Sequence, residues 1–414
     1  MMNKPKITEV EITSMAFGGA GVGRLEDGRT AFVPFVLPDE RVAIAITEEK
    51  AHYVLTDLIE VLRPAPNRIK PSCPHFGECG GCHYQHTTYE NQLHIKSQIL
   101  RDQLQRIGGI KQPPEILIVP SPIPWEYRNT LQFHLTPNGN LGFQHAKSTA
   151  TLEIQECRLA QAALQGLWRQ IAFEPDLDIE RIHLRCGYND EIMMTIESTN
   201  PQAPNITVED LPISVVHVHE DDAIVLAGSD HLWVEVLGRL FHLSPTAFFQ
   251  VNNRVAEKIV QYLLSEVELD SQMTLIDGYC GGGLYSAFLA AKVGRVIGIE
   301  SSASACRDFE INLDEFDHVE LYQAAVEDVL PYLNIKADIL LLDPPRSGLT
   351  KPVRLAISNN PPKQLVYISC DPSTLSRDAK YLQKAGLQIT KLAFFDMFPQ
   401  TYHIESVSIW RNSS

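Results

Sequence analysis

The chain has no run of eighteen consecutive apolar residues, and its start, MMNKPKITEV, holds no apolar core behind the lysines. Neither a membrane span nor a secretory leader is therefore expected, and a cytoplasmic setting follows. Basic residues are scarce: 35 Lys plus Arg face 51 Asp plus Glu, a net charge of -16. Phosphate binding usually leaves a basic footprint, so charge alone reads equally well as an acidic metabolic enzyme. The deficit is local, however. Residues 171–235 hold 14 acidic against 2 basic residues, a net of -12, which leaves -4 for the other segments together and room for a basic groove. Cysteine is sparse, 8 in 414 residues, yet three lie in one ten-residue stretch. In a cytosolic chain such clustering points to metal binding or catalysis before disulfides. Repeats and low-complexity tracts are absent as well, and 44% hydrophobic with 21% charged residues is the composition of a globular protein. Its length implies two or three domains.

Residues 1–66 alternate short β-rich runs with turns and end in the linker RPAPNRIKP. Regular short strands with Gly-rich and Asp-Gly turns suggest a small antiparallel barrel, an architecture that often binds single-stranded nucleic acid. GGAGVGR in this stretch is followed by β-like residues rather than the helix a phosphate loop needs. A central part, 67–240, begins with a helical period in YENQLHIKSQILRDQLQRIGG, where Leu93, Ile99, Leu100, Leu104 and Ile107 share one face before a Gly-Gly stop. Strands follow, including TLQFHLTPNGNLGFQH with its Asn-Gly hairpin signal. From 241 to 414 apolar runs alternate with helical stretches, which predicts an α/β domain with a mainly parallel sheet and ligands at the carboxyl ends of its strands.

Four strand ends in that domain carry chemistry. After MTLID comes GYCGGG and then a helix, so backbone N–H groups and a close-approach turn face a ligand. Glu300 ends the next strand, 23 residues after Asp277, where a carboxylate can accept from both hydroxyls of a ribose. An adenosine-type cofactor fits, either a dinucleotide or S-adenosylmethionine; the missing G-x-G-x-x-G order lowers the odds of a pyrophosphate. ILLLDPPRSG places Asp343 at a third strand end, followed by a proline-stiffened loop and Arg346. Asp-Pro-Pro at a sheet end resembles the turn with which amino-group methyltransferases hold a planar base. The fourth is QLVYISCDPSTLSRD, in which Cys370 ends a strand before a helix with Ser373 or Thr374 near its cap. A helix start favours thiolate, the nucleophilic form, but a buried packing cysteine fits the position equally well.

Taken together, SCDPSTLSRD, DGYCGGG, DPPRSG, FFQVN and FPQTYHIESV resemble the RNA uracil-5-methyltransferase family, in order and over nearly the whole chain, with the loosest match from about 160 to 240. The resemblance implies a class I, Rossmann-like methyltransferase domain, an N-terminal TRAM-like barrel and an α+β central domain. It also implies S-adenosylmethionine as cofactor and, as product, 5-methyluridine in tRNA or ribosomal RNA. By the same likeness Cys370 attacks C6 of uracil and Glu405, in the closing F-P-x-T-x-H-[VIL]-E pattern, is the general base. Cofactor contacts fall on Gln250, Tyr279, Glu300 and Asp343. Ser376 stands where the family usually has alanine. In this chemistry the target uridine must leave its stack before a thiolate can reach it. Gln250, Asp343 and Arg346 are candidates for holding the base, the resemblance speaking for the first two only, and Arg128 in EYRNT reads either as a phosphate contact or as a surface arginine.

CPHFGECGGC sets Cys73, Cys79 and Cys82 at C-x5-C-x2-C spacing in a loop that needs a metal to be ordered, and Cys157 could complete a four-thiol set. Spacing alone makes zinc the commoner occupant; the resemblance implies a 4Fe-4S cluster on Cys73, Cys79, Cys82 and Cys157, consistent with thiolate-only ligation. Cys186, Cys280 and Cys306 read as packing residues. The expected protein is an RNA-modifying cytoplasmic monomer. Two rivals stand beside it: a base amino-group methyltransferase, in which Cys370 would be dispensable, and a non-catalytic iron-sulfur RNA-binding protein.

Overall fold

The computed structural model describes residues 7–174, 178–204, 211–220 and 222–412. The chain divides into two compact units, one of Met1–Asp102, Gln144–Ala150 and Phe398–His403, the other of Gln103–Phe143, Thr151–Met397 and Ile404–Ser414. This division does not follow the sequence-based parts 1–66, 67–240 and 241–414, since short pieces from late in the chain join the first unit.

In the first unit β1 (Ile7–Met15), β2 (Gly21–Arg24), β3 (Thr30–Val33), β4 (Arg41–Glu49) and β5 (Tyr53–Arg63) form a closed barrel in the order β1-β2-β3-β5-β4. Alternate residues turn inward, so Val10, Ile12, Ala31, Val33, Val42, Ile44 and Val54 make its core with Val36. Each of the Val and Ile side chains contributes about 1.5–3 kcal/mol by leaving water. The glycines of GGAGVGR serve this core: a Cβ on Gly21 would come within 2.3 Å of Val36 and one on Gly23 within 2.5 Å of Val10. Glu40 is sealed beneath the barrel wall with Arg68, whose Nη2 donates to it at 2.9 Å, and with the Leu37 and Ala65 N–H groups at 2.9 and 3.2 Å. Burial works against its charge, but these donors outweigh burial and hold the Glu40 carboxyl below its ordinary value.

Helix α1 (Tyr89–Arg106) buries Ile95, Ile99, Leu100 and Leu104, whereas Ile107, past its end, is exposed. Polar groups fill out the buried face. Gln92 Nε2 donates to Gln400 Oε1 and Gln400 N–H donates to Gln92 Oε1, both at 2.9 Å, while Lys96 Nζ donates to the Phe398 carbonyl at 2.9 Å.

The second unit opens with β6 (Ile116–Val119). A seven-stranded sheet follows, made of β7 (Thr130–Leu135), β8 (Leu141–Gln144), β9 (Thr151–Glu153), β10 (Ile179–Cys186), β11 (Ile192–Ser198), β12 (Ile213–His219) and β13 (Asp222–Ala227) in the order β13-β12-β11-β10-β7-β8-β9. A two-stranded ribbon of β14 (Leu232–Val236) and β15 (Arg239–Leu243) leads to α2 (Asn253–Glu266). The remaining elements alternate as expected: β16 (Thr274–Gly278), α3 (Leu284–Leu289), β17 (Arg295–Glu300), α4 (Ala303–Asn312), β18 (Val319–Gln323), α5 (Val326–Val329), β19 (Ile339–Leu342), α6 (Lys351–Asn359), β20 (Gln364–Ser369), α7 (Pro372–Lys384), β21 (Leu387–Phe395) and β22 (Glu405–Asn412).

Their sheet has the order β18-β17-β16-β19-β20-β22-β21-β6. Strands β16 to β20 are parallel to their neighbours and β22 runs against β20, so the carboxyl ends of five strands and the start of β22 share one edge. This is the mainly parallel α/β architecture predicted from the alternation, with β6 added alongside β21. Among the described residues no helix is long and apolar enough to cross a membrane.

Candidate active site

The edge shared by β16, β19, β20 and β22 carries Asp343, Cys370 and Glu405 together with Asp277. In β20 and β22 Ile368 pairs with Val407 and Ser369 with Ser406, so Cys370, just past the last pair, and Glu405, the first residue of β22, lie at the same end of the ladder, where the Glu405 carboxyl acts on the Cys370 thiol. Asp343 follows β19, one strand over from β20, and Asp277 lies one strand further, in β16. Topology thus sets a thiol and three carboxyl groups in a row on adjacent strands.

Burial and mutual repulsion govern their charge. Glu405 is 4% exposed, and burial with Asp343 nearby raises its carboxyl well above the ordinary value. Asp343 is only partly shielded as a residue, yet its carboxyl is withdrawn from water and, with Asp277 close by, is pushed up to about 7. Asp277 is likewise pushed up to about 7 by burial, although Ser286 Oγ donates to its Oδ2 at 2.6 Å; its Oδ1 has no partner. Half-buried Cys370 is pushed up to about 12 by burial and then by Glu405 and Asp343, with Arg346 pulling the other way. The thiolate that a helix start favours is opposed here, by burial first and by the neighbouring carboxyls second. The cap differs too: Asp371, not Ser373 or Thr374, caps α7, accepting from the N–H groups of both at 2.8 and 3.0 Å.

The glycine turn and Glu300 meet as the sequence suggested. Tyr279 takes a left-handed φ of 65°, so its own N–H and that of Cys280 both reach the Ile299 carbonyl at 2.9 and 3.2 Å. Gly283, at φ 84°, admits no side chain, since a Cβ would lie 2.4 Å from Leu313. Glu300 Oε2 accepts from the Gly281 N–H at 3.0 Å and Oε1 from the Ser301 and Ser302 N–H groups at 2.7 Å, which ties the turn to the end of β17. Tyr279 projects a buried hydroxyl without a partner, and burial, then Glu327 and Asp378, raise its pKa. Gln250 is buried before α2, and its backbone carbonyl accepts from Asn129 Nδ2 at 2.9 Å. Neighbouring Asn252 caps α2 and donates to Ser121 Oγ at 3.2 Å. Arg128 spends its Nε on the Thr130 carbonyl at 3.1 Å, and Ser376 is buried with its hydroxyl unpaired.

Several members of the site carried no sequence flag. Asp277, Ser286 and Tyr285 lie in or beside the glycine motif, and Asn129 is a buried polar residue in EYRNT. Their signal was a polar or hydroxyl-bearing side chain in an otherwise apolar run next to a motif.

S-adenosylmethionine suits this edge on the chain's own residues: buried carboxyls short of counter-charge would welcome a sulfonium, and Asp277 Oδ1 and the Tyr279 hydroxyl lack partners. For a 4Fe-4S cluster the donor chemistry of four cysteine thiols fits. Cys73, Cys79 and Cys82 are half-buried in the first unit and Cys157 is half-buried in the second. Cys79 Sγ accepts from the Gly81 N–H at 3.4 Å, the kind of bond that tunes cluster sulfurs. Among the described residues, however, no three Cys, His, Asp or Glu side chains are gathered as a metal-binding group. Cys186, Cys280 and Cys306 are buried.

Comparison with known proteins agrees with the fold and the motifs. Residues 197–412 match the model of the tRNA (uracil-5-)-methyltransferase family, and residues 5–59 match the TRAM domain. An uncharacterized RNA methyltransferase of Thermosynechococcus vestitus is 31% identical, covering 98% of both chains, and one of Aquifex aeolicus is 32% identical over 98% of this chain and 99% of its own. The tRNA (uracil-54, C5)-methyltransferase of Pyrococcus abyssi, crystallised with S-adenosyl-L-homocysteine, has the same fold: its TM-score is 0.75 at 23% identity, over 97% of this chain and all of that one. A sheet edge that brings Cys370 and Glu405 to one end of the β20–β22 ladder, a barrel at residues 7–63 and relatives matched over nearly their whole length all lead to one assignment: the chain belongs to the tRNA (uracil-5-)-methyltransferase family.

Proposed function

We propose that the chain is an S-adenosylmethionine-dependent RNA (uracil-C5)-methyltransferase that forms 5-methyluridine in transfer or ribosomal RNA through a covalent Cys370 adduct. The observation that carries this reading is the β20–β22 register, whose last pair, Ser369 with Ser406, leaves Cys370 and Glu405 at the same end of the ladder, close enough for the carboxyl to act on the thiol. Carbon 5 of uracil is a poor nucleophile. Addition of the Cys370 thiolate to C6 of a flipped uridine makes C5 electron-rich; once C5 is methylated, Glu405 accepts the C5 proton and the thiolate is expelled. S-adenosylmethionine, when bound, supplies the methyl group and a sulfonium charge that favours the ionised forms of Asp343 and Glu405. Gln250, Tyr279, Glu300 and Asp343 would hold it. A Glu405 carboxyl raised by burial is a stronger base once ionised, and Arg346 works toward the Cys370 thiolate.

In this reading the barrel within 1–66 contacts RNA, 67–240 carries a 4Fe-4S cluster on Cys73, Cys79, Cys82 and Cys157, and 241–414 performs the transfer, in a cytoplasmic monomer. Serine at any of the four cysteines should lower iron and acid-labile sulfide together. The functional test maps 5-methyluridine in RNA from cells with and without the protein. Loss of the C5 methyl at defined uridines, restored by the wild-type protein and not by Cys370→Ser, is expected; unchanged 5-methyluridine, or a methyl on a base nitrogen instead, would contradict the reading.

A further inference from the structure

One buried group at the site is left idle by the chemistry above. Tyr285 is the second residue of α3, directly after the glycine turn, and is 5% exposed. Its hydroxyl is shut off from water and has no hydrogen-bond partner. Around it lie the carboxyls of Asp343, Glu405 and Asp277 and the side chain of Gln250, the last outside hydrogen-bonding geometry. A phenylalanine would fill the same space, so packing does not require the oxygen. An O–H buried without an acceptor is costly, which is tolerable where a ligand supplies the acceptor.

Resting on the function proposed above, we propose that Tyr285 is a catalytic residue whose hydroxyl donates to O4 of the target uracil as charge develops there. When sulfur forms its bond to C6, the C5=C6 pair moves to C4–C5 and the C4=O4 pair moves onto oxygen. Attack of C5 on the methyl carbon returns the oxygen pair to C4=O4 and turns the C4–C5 pair into the new C5–CH3 bond, and the sulfonium sulfur leaves with the electrons of its methyl bond. No proton moves to or from Tyr285. Glu405 has to reach the hydrogen on C5, and C4 with its oxygen is the next ring atom. A donor for O4 must therefore stand close to Glu405, as the Tyr285 hydroxyl does. Burial, followed by Asp343, Glu405 and Asp277, raises the phenol well above its ordinary value, so it stays protonated and remains a donor throughout.

Removing a donor aimed at a developing oxyanion typically slows turnover about 10²–10³-fold. Tyr285→Phe, assayed on RNA from cells lacking the protein, should lose turnover on that scale while its KM for RNA and its binding of S-adenosylmethionine change less than about threefold; intact cofactor binding also reports a folded variant. A second arm replaces the target uridine with 4-thiouridine, whose sulfur is a weak acceptor. Wild-type enzyme should slow on the thio substrate, and Tyr285→Phe should slow no further. Equal turnover of Tyr285→Phe and wild type on uridine would overturn the proposal, as would a full thio penalty retained in the variant. If wild-type protein makes no 5-methyluridine, the underlying function fails first, and that result is separate from either outcome for Tyr285.

Discussion

Glu40 in the barrel and Glu405 at the sheet edge are both glutamates with almost no exposure, yet their surroundings push them in opposite directions. Glu40 has Arg68 and two backbone N–H donors, and its carboxyl is held low. Glu405 has Asp343 beside it, and its carboxyl is held high. A buried charge that is fully paired secures a fold; one surrounded by like charge is kept ready for a ligand that brings the missing positive charge or removes a proton. The contrast singles out Glu405, and not Glu40, as the candidate for chemistry.

The largest effect should come from Glu405→Gln, which is expected to slow release of product about 10²–10⁴-fold and let a protein–RNA adduct with ordinary uridine accumulate on a denaturing gel. Glu40→Gln should leave turnover per folded molecule within a few fold, and a large loss there would erase the contrast. Next, Arg68→Met strands the Glu40 charge and should cost about 3–5 kcal/mol in denaturant melts.

The pH dependence of stability sharpens the difference. For Glu40, whose folded value is lowered, the stabilisation is present above the ordinary glutamate value of about 4.3 and is lost as pH falls through the folded value. Asp277 and Asp343, raised to about 7, contribute fully below the ordinary aspartate value of about 3.9, and that contribution is lost as pH rises through about 7. Denaturant melts from acid to neutral pH should therefore show a flatter decline for Asp343→Asn, whereas Glu40→Gln should alter the acid limb. Smallest of all, Asp371→Ala should cost about 1 kcal/mol by uncapping α7. Asp371→Asn keeps the cap and removes a charge that raises the Cys370 pKa, so alkylation of Cys370 by iodoacetamide should quicken.

The barrel and the parallel sheet were legible because alternation and strand–helix order report which face is buried. The glycine turn and the strand-end acids were legible because close backbone approach and polar residues at strand ends break an apolar pattern. Pairing was not. Nothing in ILIV announces that β6 lies beside β21, and nothing local in YHIESV announces that Glu405 comes to the same ladder end as Cys370, because strand partners are fixed by contacts far apart in sequence. The state of the thiol was also hidden: the helix start after Cys370 was visible, but the carboxyls that push it to about 12 arrive from other strands. Tyr285 escaped notice for a related reason, since its neighbours Asp343, Glu405 and Gln250 come from three separate segments.

The most direct measurement incubates the wild-type protein and S-adenosylmethionine with RNA carrying 5-fluorouridine at the target position, then maps any cross-link by peptide mass spectrometry. Fluorine replaces the proton that Glu405 would remove, so a stable conjugate joined through Cys370 and bearing the transferred methyl is expected. Full 5-methyluridine formation on ordinary RNA with no such conjugate, or a conjugate through a different side chain, would contradict covalent catalysis by Cys370.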